Sequence, residues 1–199
     1  IILSSNSGMC GAFNANMIRV LHHLQSYYPD EALLLFPLGK KIREAVQLTG
    51  FNTGFQDKEN MDDLMEKASY RRAKEAATFF TELYLSGNVK QVDIIYYQYK
   101  NMAIQDIHEH TFLPFSLPQN TAILPEVGTR NNYIFEPSEK QLIEDLLARI
   151  IRADFYYRIA ENQTSEHAAR TMAMQLASEN ANEILGELRL MYNKLRQQN

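Results

Sequence analysis

Three places in the chain carry residue types that could do chemistry. Gly8-Met9-Cys10-Gly11 lies where the apolar run Ile1-Ile2-Leu3 gives way to a helical pattern. A strand-to-helix turn of this kind is where phosphate loops are found, because a helix N-terminus presents free backbone N–H groups and the positive end of the helix dipole. The match is poor. A dinucleotide fingerprint needs a third glycine and an acidic residue closing the second strand, and Phe36-Pro37-Leu38 stands at that end. The lysine and hydroxyl of a P-loop are missing as well. Cys10, beside a helix N-terminus, is placed as a nucleophile could be, but that role needs a base, drawn here from His22, His23, His108, His110 and His167. A small buried thiol is the plainer expectation.

His108 and His110 would share one face of a strand, a spacing some metal sites use, yet tight zinc sites want three or four ligands and no further His or Cys cluster is evident. Exposed strand positions are expected, and no metal. Ser165-Glu166-His167 has residue types suited to acid–base work, but consecutive residues on a helix point about 100° apart and do not converge. Glu166 and Arg170, spaced i, i+4, are expected to form a helix-surface pair worth about 0.3–0.5 kcal/mol. The run 161–170 lacks large apolar residues; it is either a solvated face or a face docked on another polar surface.

The elements that position these residues are legible from periodicity. Ile1-Ile2-Leu3 reads as a buried strand ending in the turn-prone Asn6-Ser7-Gly8. Phe13, Met17, Val20, Leu24 and Tyr27 make the stripe of an amphipathic helix that Pro29 closes. Ala32-Leu33-Leu34-Leu35-Phe36 predicts a second strand, covered on both faces, which completes a βαβ unit. Ile42, Ala45, Val46 and Leu48 predict a short helix ending at Gly50, and a third helix is expected over 62–85. Val92, Ile94 and Tyr96 alternate with Asp93, Ile95 and Tyr97 in a strand, with 103–112 as its neighbour. The proline-bearing stretch 113–130 reads as a loop, and 132–135 as a last short strand.

The remaining third differs in kind. After Ser138, which with Gln141 matches a capping box, there is no proline and the only glycine is Gly186. One helix could run over 138–199, on the order of 90 Å long. Met174, Ala177, Ala181, Ile184, Leu188, Met191 and Leu195 step by three and four in turn, a heptad seam. Such a seam needs a partner helix, and nothing in the other segments has matching length and spacing. The expected fold class is therefore α/β: a Rossmann-like domain with a mostly parallel sheet over 1–137, then a long C-terminal helix over 138–199 that is one half of a coiled coil.

Composition narrows the partners. The 199 residues are 45% hydrophobic and carry 20 Lys and Arg against 24 Asp and Glu, net charge -4, with no field for gripping a phosphate backbone. Nucleic acid is not an expected partner. One cysteine, no secretory leader and no run long enough to span a bilayer suggest a reducing, soluble compartment. The abrupt opening on Ile1 suggests a fragment whose preceding segment is an amphipathic helix.

Ser165-Glu166-His167-Ala168-Ala169-Arg170-Thr171-Met172-Ala173-Met174, with Ser178-Glu179-Asn180-Ala181-Asn182 and Tyr192-Asn193-Lys194-Leu195-Arg196-Gln197, closely resembles the C-terminal helix of the gamma subunits of F-type ATP synthases. The segment from Ser5 to Asn16 and the junction Phe135-Glu136-Pro137-Ser138 resemble that family too. The resemblance implies a central-stalk rotor, an α/β domain beside an antiparallel coiled coil of N- and C-terminal helices, that couples proton flow through a membrane ring to ATP synthesis at the beta subunits. It also implies that the chain is not catalytic by itself and holds no cofactor. The implied partners are the alpha and beta subunits of the catalytic ring, the epsilon subunit, the membrane c-ring and the N-terminal helix of the same subunit. The implied location is peripheral, on the cytoplasmic face of a bacterial inner membrane or the matrix side in a mitochondrion. Gly8, Met9, Cys10, Gly11, Arg196 and Gln197 correspond to places where the family's rotor meets the ring. Asn6-Ser7 departs from the family's common Asp-Arg, as do Thr171 and Gln175 from an apolar residue and a lysine. The alternative is a small α/β enzyme or nucleotide-binding domain using the Gly8-Gly11 loop or Cys10.

Overall fold

A computed structural model describes residues 1–28, 33–51, 53–54, 61–116, 136 and 138–198. The strands are β1 (Ile2–Leu3), β2 (Pro37–Leu38), β3 (Val92–Tyr99) and β4 (Gln105–Leu113), and the helices are α1 (Phe13–Tyr27), α2 (Lys40–Thr49), α3 (Asp63–Glu66), α4 (Tyr70–Leu85) and α5 (Glu139–Gln198). The sheet order is β2-β1-β3-β4. β1 pairs in parallel with both β2 and β3, while β4 runs antiparallel to β3. The mostly parallel sheet and the long C-terminal helix expected from the sequence are both present.

Period-two alternation along β3 divides the core into two layers. Ile94 and Tyr96 face α4 and α5, where Phe80, Phe112, Phe155 and Ile159 pack around them. Ile95 and Tyr97 face α1 and α2, with Phe13, Met17, Leu21, Ile42 and Val46. The buried stripe of α1 ends before Tyr27, which is 73% exposed.

Two elements differ from expectation. The second strand pairs at Pro37–Leu38, just beyond the predicted 32–36, where Leu35 instead makes an isolated bridge to Thr53. Gly39 follows it with φ 113°, and a side chain there would collide with Ser4, whose N–H binds the Leu38 carbonyl at 2.9 Å. The predicted helix over 62–85 is interrupted: Lys67 and Ser69 are extended, separating α3 from α4. Gln163 of α5 secures the break, accepting from Ala68 N–H at 3.0 Å and donating to the Leu64 carbonyl at 2.9 Å. A helix broken at a position that leaves backbone groups free needs such a substitute. The predicted strand at 132–135, and the predicted loop beyond residue 116, lie outside the described residues.

α5 runs 60 residues, roughly 90 Å. Ser138 caps it, accepting from the Gln141 N–H at 3.3 Å. Its buried residues are Phe155, Ile159, Asn162, Ser165, Glu166 and Ala168.

Candidate functional site: the glycine turn, the docked helix and the bare seam

β1 is only two residues long, and its ladder to β3 consists of the Ile2–Ile95 pair. Two residues further along β3, the Tyr97 N–H and C=O point the same way with no strand opposite. α5 supplies the partners: Tyr97 N–H donates to Asn162 Oδ1 at 3.1 Å, and Ser165 Oγ donates to the Tyr97 carbonyl at 3.1 Å. The polar run 161–170 is therefore a docked face. Its side chains complete the backbone of the chain's own domain, with Asn162 and Ser165 on β3 and Gln163 on the α3–α4 break.

Tyr97 also fixes the base of the glycine turn. Its ring stacks on Phe13 with centroids 4.1 Å apart, and its hydroxyl donates to the Phe13 carbonyl at 2.9 Å. Burial pushes the Tyr97 phenol up to about 12. Within the turn, Asn14 Nδ2 donates to Ser5 Oγ at 2.8 Å and to Cys10 Sγ at 3.1 Å, and Ser5 Oγ donates to the Ser7 carbonyl at 2.6 Å. Asn6 reaches outward, donating to the Asp62 carbonyl at 2.8 Å and accepting from Lys40 N–H at 2.9 Å. The pair Asn6-Ser7 is thus used as neutral hydrogen-bonding groups.

Of the four turn residues singled out, Cys10 is inside the core at 2% exposure and Gly8, Met9 and Gly11 are exposed. The partners of the Cys10 thiol are Asn14, Ser5 and the Ser7 carbonyl; no histidine is among them, so the nucleophile reading has no base. Met9 has φ 62°, a left-handed conformation costly for a side chain with a Cβ, and stands 78% exposed. The turn displays this methionine.

Of the two histidines on β4, His108 is exposed as expected, whereas His110 is half-buried and partnered. His110 Nε2 meets Asp154 Oδ2 of α5 at 2.8 Å, and Arg158 binds Asp154 at 2.8 Å and the Tyr96 hydroxyl at 2.7 Å. His108 stands edge-on to the Tyr96 ring at 5.9 Å. Period-two spacing brought both to the helix-facing side, and nothing in the sequence announces Asp154 and Arg158 as their partners. Glu166 and Arg170 do pair at 2.5 Å, but with Glu166 only 6% exposed and Arg170 reaching the glycine turn. The expected surface pair is in fact an embedded one.

Beyond residue 173, α5 leaves the domain. Met174, Ala177, Ala181, Ile184, Leu188, Met191 and Leu195 are all exposed, as are Arg196 and Gln197. The last two lie on the order of 40 Å along the helix from Arg170 and do not approach the glycine turn. At the foot of this bare stretch a groove of about 430 Å³ runs between Gly11, Phe13 and Tyr97, the β3–β4 hairpin tip at Met102, and Met172 and Leu176 of α5.

The chain is therefore an α/β domain clamped to the middle of a long helix, with an exposed apolar helix face beyond it and a turn that displays Met9. Comparison with known proteins makes the class specific. The sequence pattern of the ATP synthase family matches residues 1–199. The ATP synthase gamma chain of Bacteroides fragilis is 38% identical over 201 residues, covering 100% of this chain and 68% of that protein. That of Bacteroides thetaiotaomicron is 37% identical over 212 residues, covering 100% and 69%. The chain belongs to the gamma-chain family of F-type ATP synthases, the family of the central stalk. Among solved structures, the rotor of Euglena gracilis mitochondrial ATP synthase in rotational state 1 has TM-score 0.58 at 20% identity, covering 99% of this chain and 72% of that one. The central stalk and c-ring structure of the Tetrahymena thermophila mitochondrial ATP synthase has TM-score 0.58 at 19% identity, covering 89% and 75%. At these identities the shared property is the fold.

Proposed function

We propose that this chain is the turning shaft of the synthase, carrying rotation from the proton-driven membrane ring to the catalytic ring, and that it performs no ATP chemistry itself. The observation that carries the reading is the division of α5: gripped by the domain over 151–173 and bare, with a heptad seam, over 174–198. A lone helix is flexible over this length, whereas two helices packed knobs-into-holes make a stiff rod. The partner on the seam is the N-terminal helix of the same subunit, running antiparallel. Residues 1–137 then form the α/β domain and 138–199 the shaft.

In this reading Gly8, Met9, Cys10 and Gly11 at the foot, and Arg196 and Gln197 high on the shaft, meet the alpha and beta subunits; Cys10 takes part by shaping the turn from inside. The domain faces the epsilon subunit and the c-ring. Because the turn and seam project on particular sides, each beta subunit meets a different surface as the shaft turns. Differential contact of this kind shifts a site between nucleotide affinities. Attachment is peripheral, on the cytoplasmic face of a bacterial membrane; no helix among the described residues is long and apolar enough to cross one.

The test is assembly of the complete subunit with alpha and beta chains of a Bacteroides relative. Co-purification in one complex whose ATP hydrolysis depends on the subunit is expected. Failure to assemble, or tight nucleotide binding by the isolated subunit at the glycine turn, would overturn the proposal in favour of a small α/β enzyme.

A further inference from the structure

Residues 5–16 contain no Lys, Arg, Asp or Glu, so nothing charged within the turn fixes its orientation. The charge comes from the shaft. Arg170 Nη2 donates to Ser7 Oγ at 2.7 Å, and its Nε to the Gly8 carbonyl at 3.5 Å. The same Nη2 is 2.5 Å from Glu166 Oε1. A guanidinium is a rigid planar fork of five donors, so a buried carboxylate on one side and the turn on the other hold it in a single orientation. The other bonds of the turn run to Asn14 of α1, from Ser5 Oγ and the Cys10 thiol to the Ser7 carbonyl, and through Asn6 to Asp62 and Lys40. Gly11 lies over the small side chain of Ala173, with 3.8 Å between where its Cβ would be and the alanine Cβ, so turn and shaft are in near contact without a bulky key between them.

We infer that Arg170, locked by Glu166, is the positioning residue that fixes the turn at 7–11 to the shaft, so that the displayed Met9 moves with the helix instead of swinging about α1. The functional consequence rests on the reading of this turn as a contact with the catalytic ring; the clamp itself does not.

Two measurements on the complete subunit separate these. The first is the backbone 15N order parameter at 8–11 in Arg170→Ala, Arg170→Lys and Ser7→Ala. Arg170→Ala removes the bonds to both Ser7 Oγ and the Gly8 carbonyl, and should lower it from a rigid value of about 0.85 to below about 0.6. Ser7→Ala, which removes only the hydroxyl of an exposed residue, should lower it part of the way. Lysine should rescue in part, since an ammonium cannot hold both partners in the fork geometry. Order parameters in β3 should stay unchanged, which a general loss of packing would not allow. Unchanged values at 8–11 in both Arg170→Ala and Ser7→Ala would overturn the clamp, and if the arginine variant does not fold, Ser7→Ala alone decides. The second measurement is ATP hydrolysis coupled to proton pumping in the assembled complex, expected to weaken in the same order as the order parameters fall. A looser turn with unaltered coupling would support the clamp and overturn the ring contact of the turn.

Discussion

Residues 151–173 and 174–198 of α5 form one unbroken helix with the same rise and the same backbone bonding, yet they solve opposite problems. The first stretch is surrounded, and its large apolar side chains, Phe155 and Ile159, enter the core while Asn162, Gln163 and Ser165 complete backbone groups of β3 and the α3–α4 break. The second stretch is richer in large apolar residues but buries none of them. Polarity along this helix therefore reports the kind of surface it meets rather than whether it is buried. Where it meets backbone it is polar, and where it stands bare it carries Leu, Ile and Met.

The sharpest way to break that contrast is to treat each stretch as if it were the other. Phe155→Ala removes a fully buried ring packed on Phe80 and Phe112. It should cost about 3–5 kcal/mol of folding stability, read by urea denaturation of the complete subunit. A cost below about 1 kcal/mol would mean that the domain does not depend on the helix. Leu188→Asp, at a position 57% exposed, should leave the domain's unfolding within about 0.5 kcal/mol of wild type. It should lower the yield of assembled complex by on the order of tenfold or more, because a carboxylate cannot enter a heptad seam unpaired. An equal fall in domain stability would erase the distinction between the stretches.

Asn162→Ala probes the docked stretch more finely. Deleting the amide leaves the buried Tyr97 N–H without an acceptor, and the expected loss is about 1–3 kcal/mol. The exchange rate of that single amide should rise with it. A neutral result would mean that water replaces the side chain and that the polar face is docked only loosely.

How much of this was legible beforehand follows the range of the interactions involved. α1 and α2 are local patterns, read from Phe13, Met17, Ile42 and Val46, and they appear where the spacing places them. The long helix likewise followed from the capping serine and the absence of breakers. The break at 67–69 was invisible because its substitute, Gln163, is 95 residues from Ala68 in the chain. The docking of 161–170 was left open for the same reason: it depends on β1 ending at Leu3, which leaves the Tyr97 backbone without a β1 residue opposite. The seven seam residues and the Arg196-Gln197 pair are proposed from pattern and resemblance, whereas Arg170's reach to Ser7 needed the fold to bring together residues 163 apart.

The smallest expected effect concerns the outside of the same α3–α4 break. Arg72 of α4 clasps Asp63 of α3 through Nε at 2.6 Å and Nη2 at 3.3 Å, with both side chains nearly half exposed. Hydrogen bonding to Arg72 holds the Asp63 carboxyl below its ordinary 3.8. A depressed carboxyl stabilises the folded state at pH above its unfolded value and loses that contribution as the pH falls through the folded one. Arg72→Gln should therefore cost no more than about 1 kcal/mol near neutrality, since the pair is solvent-screened. The difference from wild type should vanish on acidification below the carboxylate range, where Asp63 is protonated in both. Denaturation midpoints of the two proteins at about pH 7 and about pH 2 would show it. If Arg72→Gln were instead as costly as Asn162→Ala, the α3–α4 break would be held from its surface as firmly as β3 is held by the buried amide of α5.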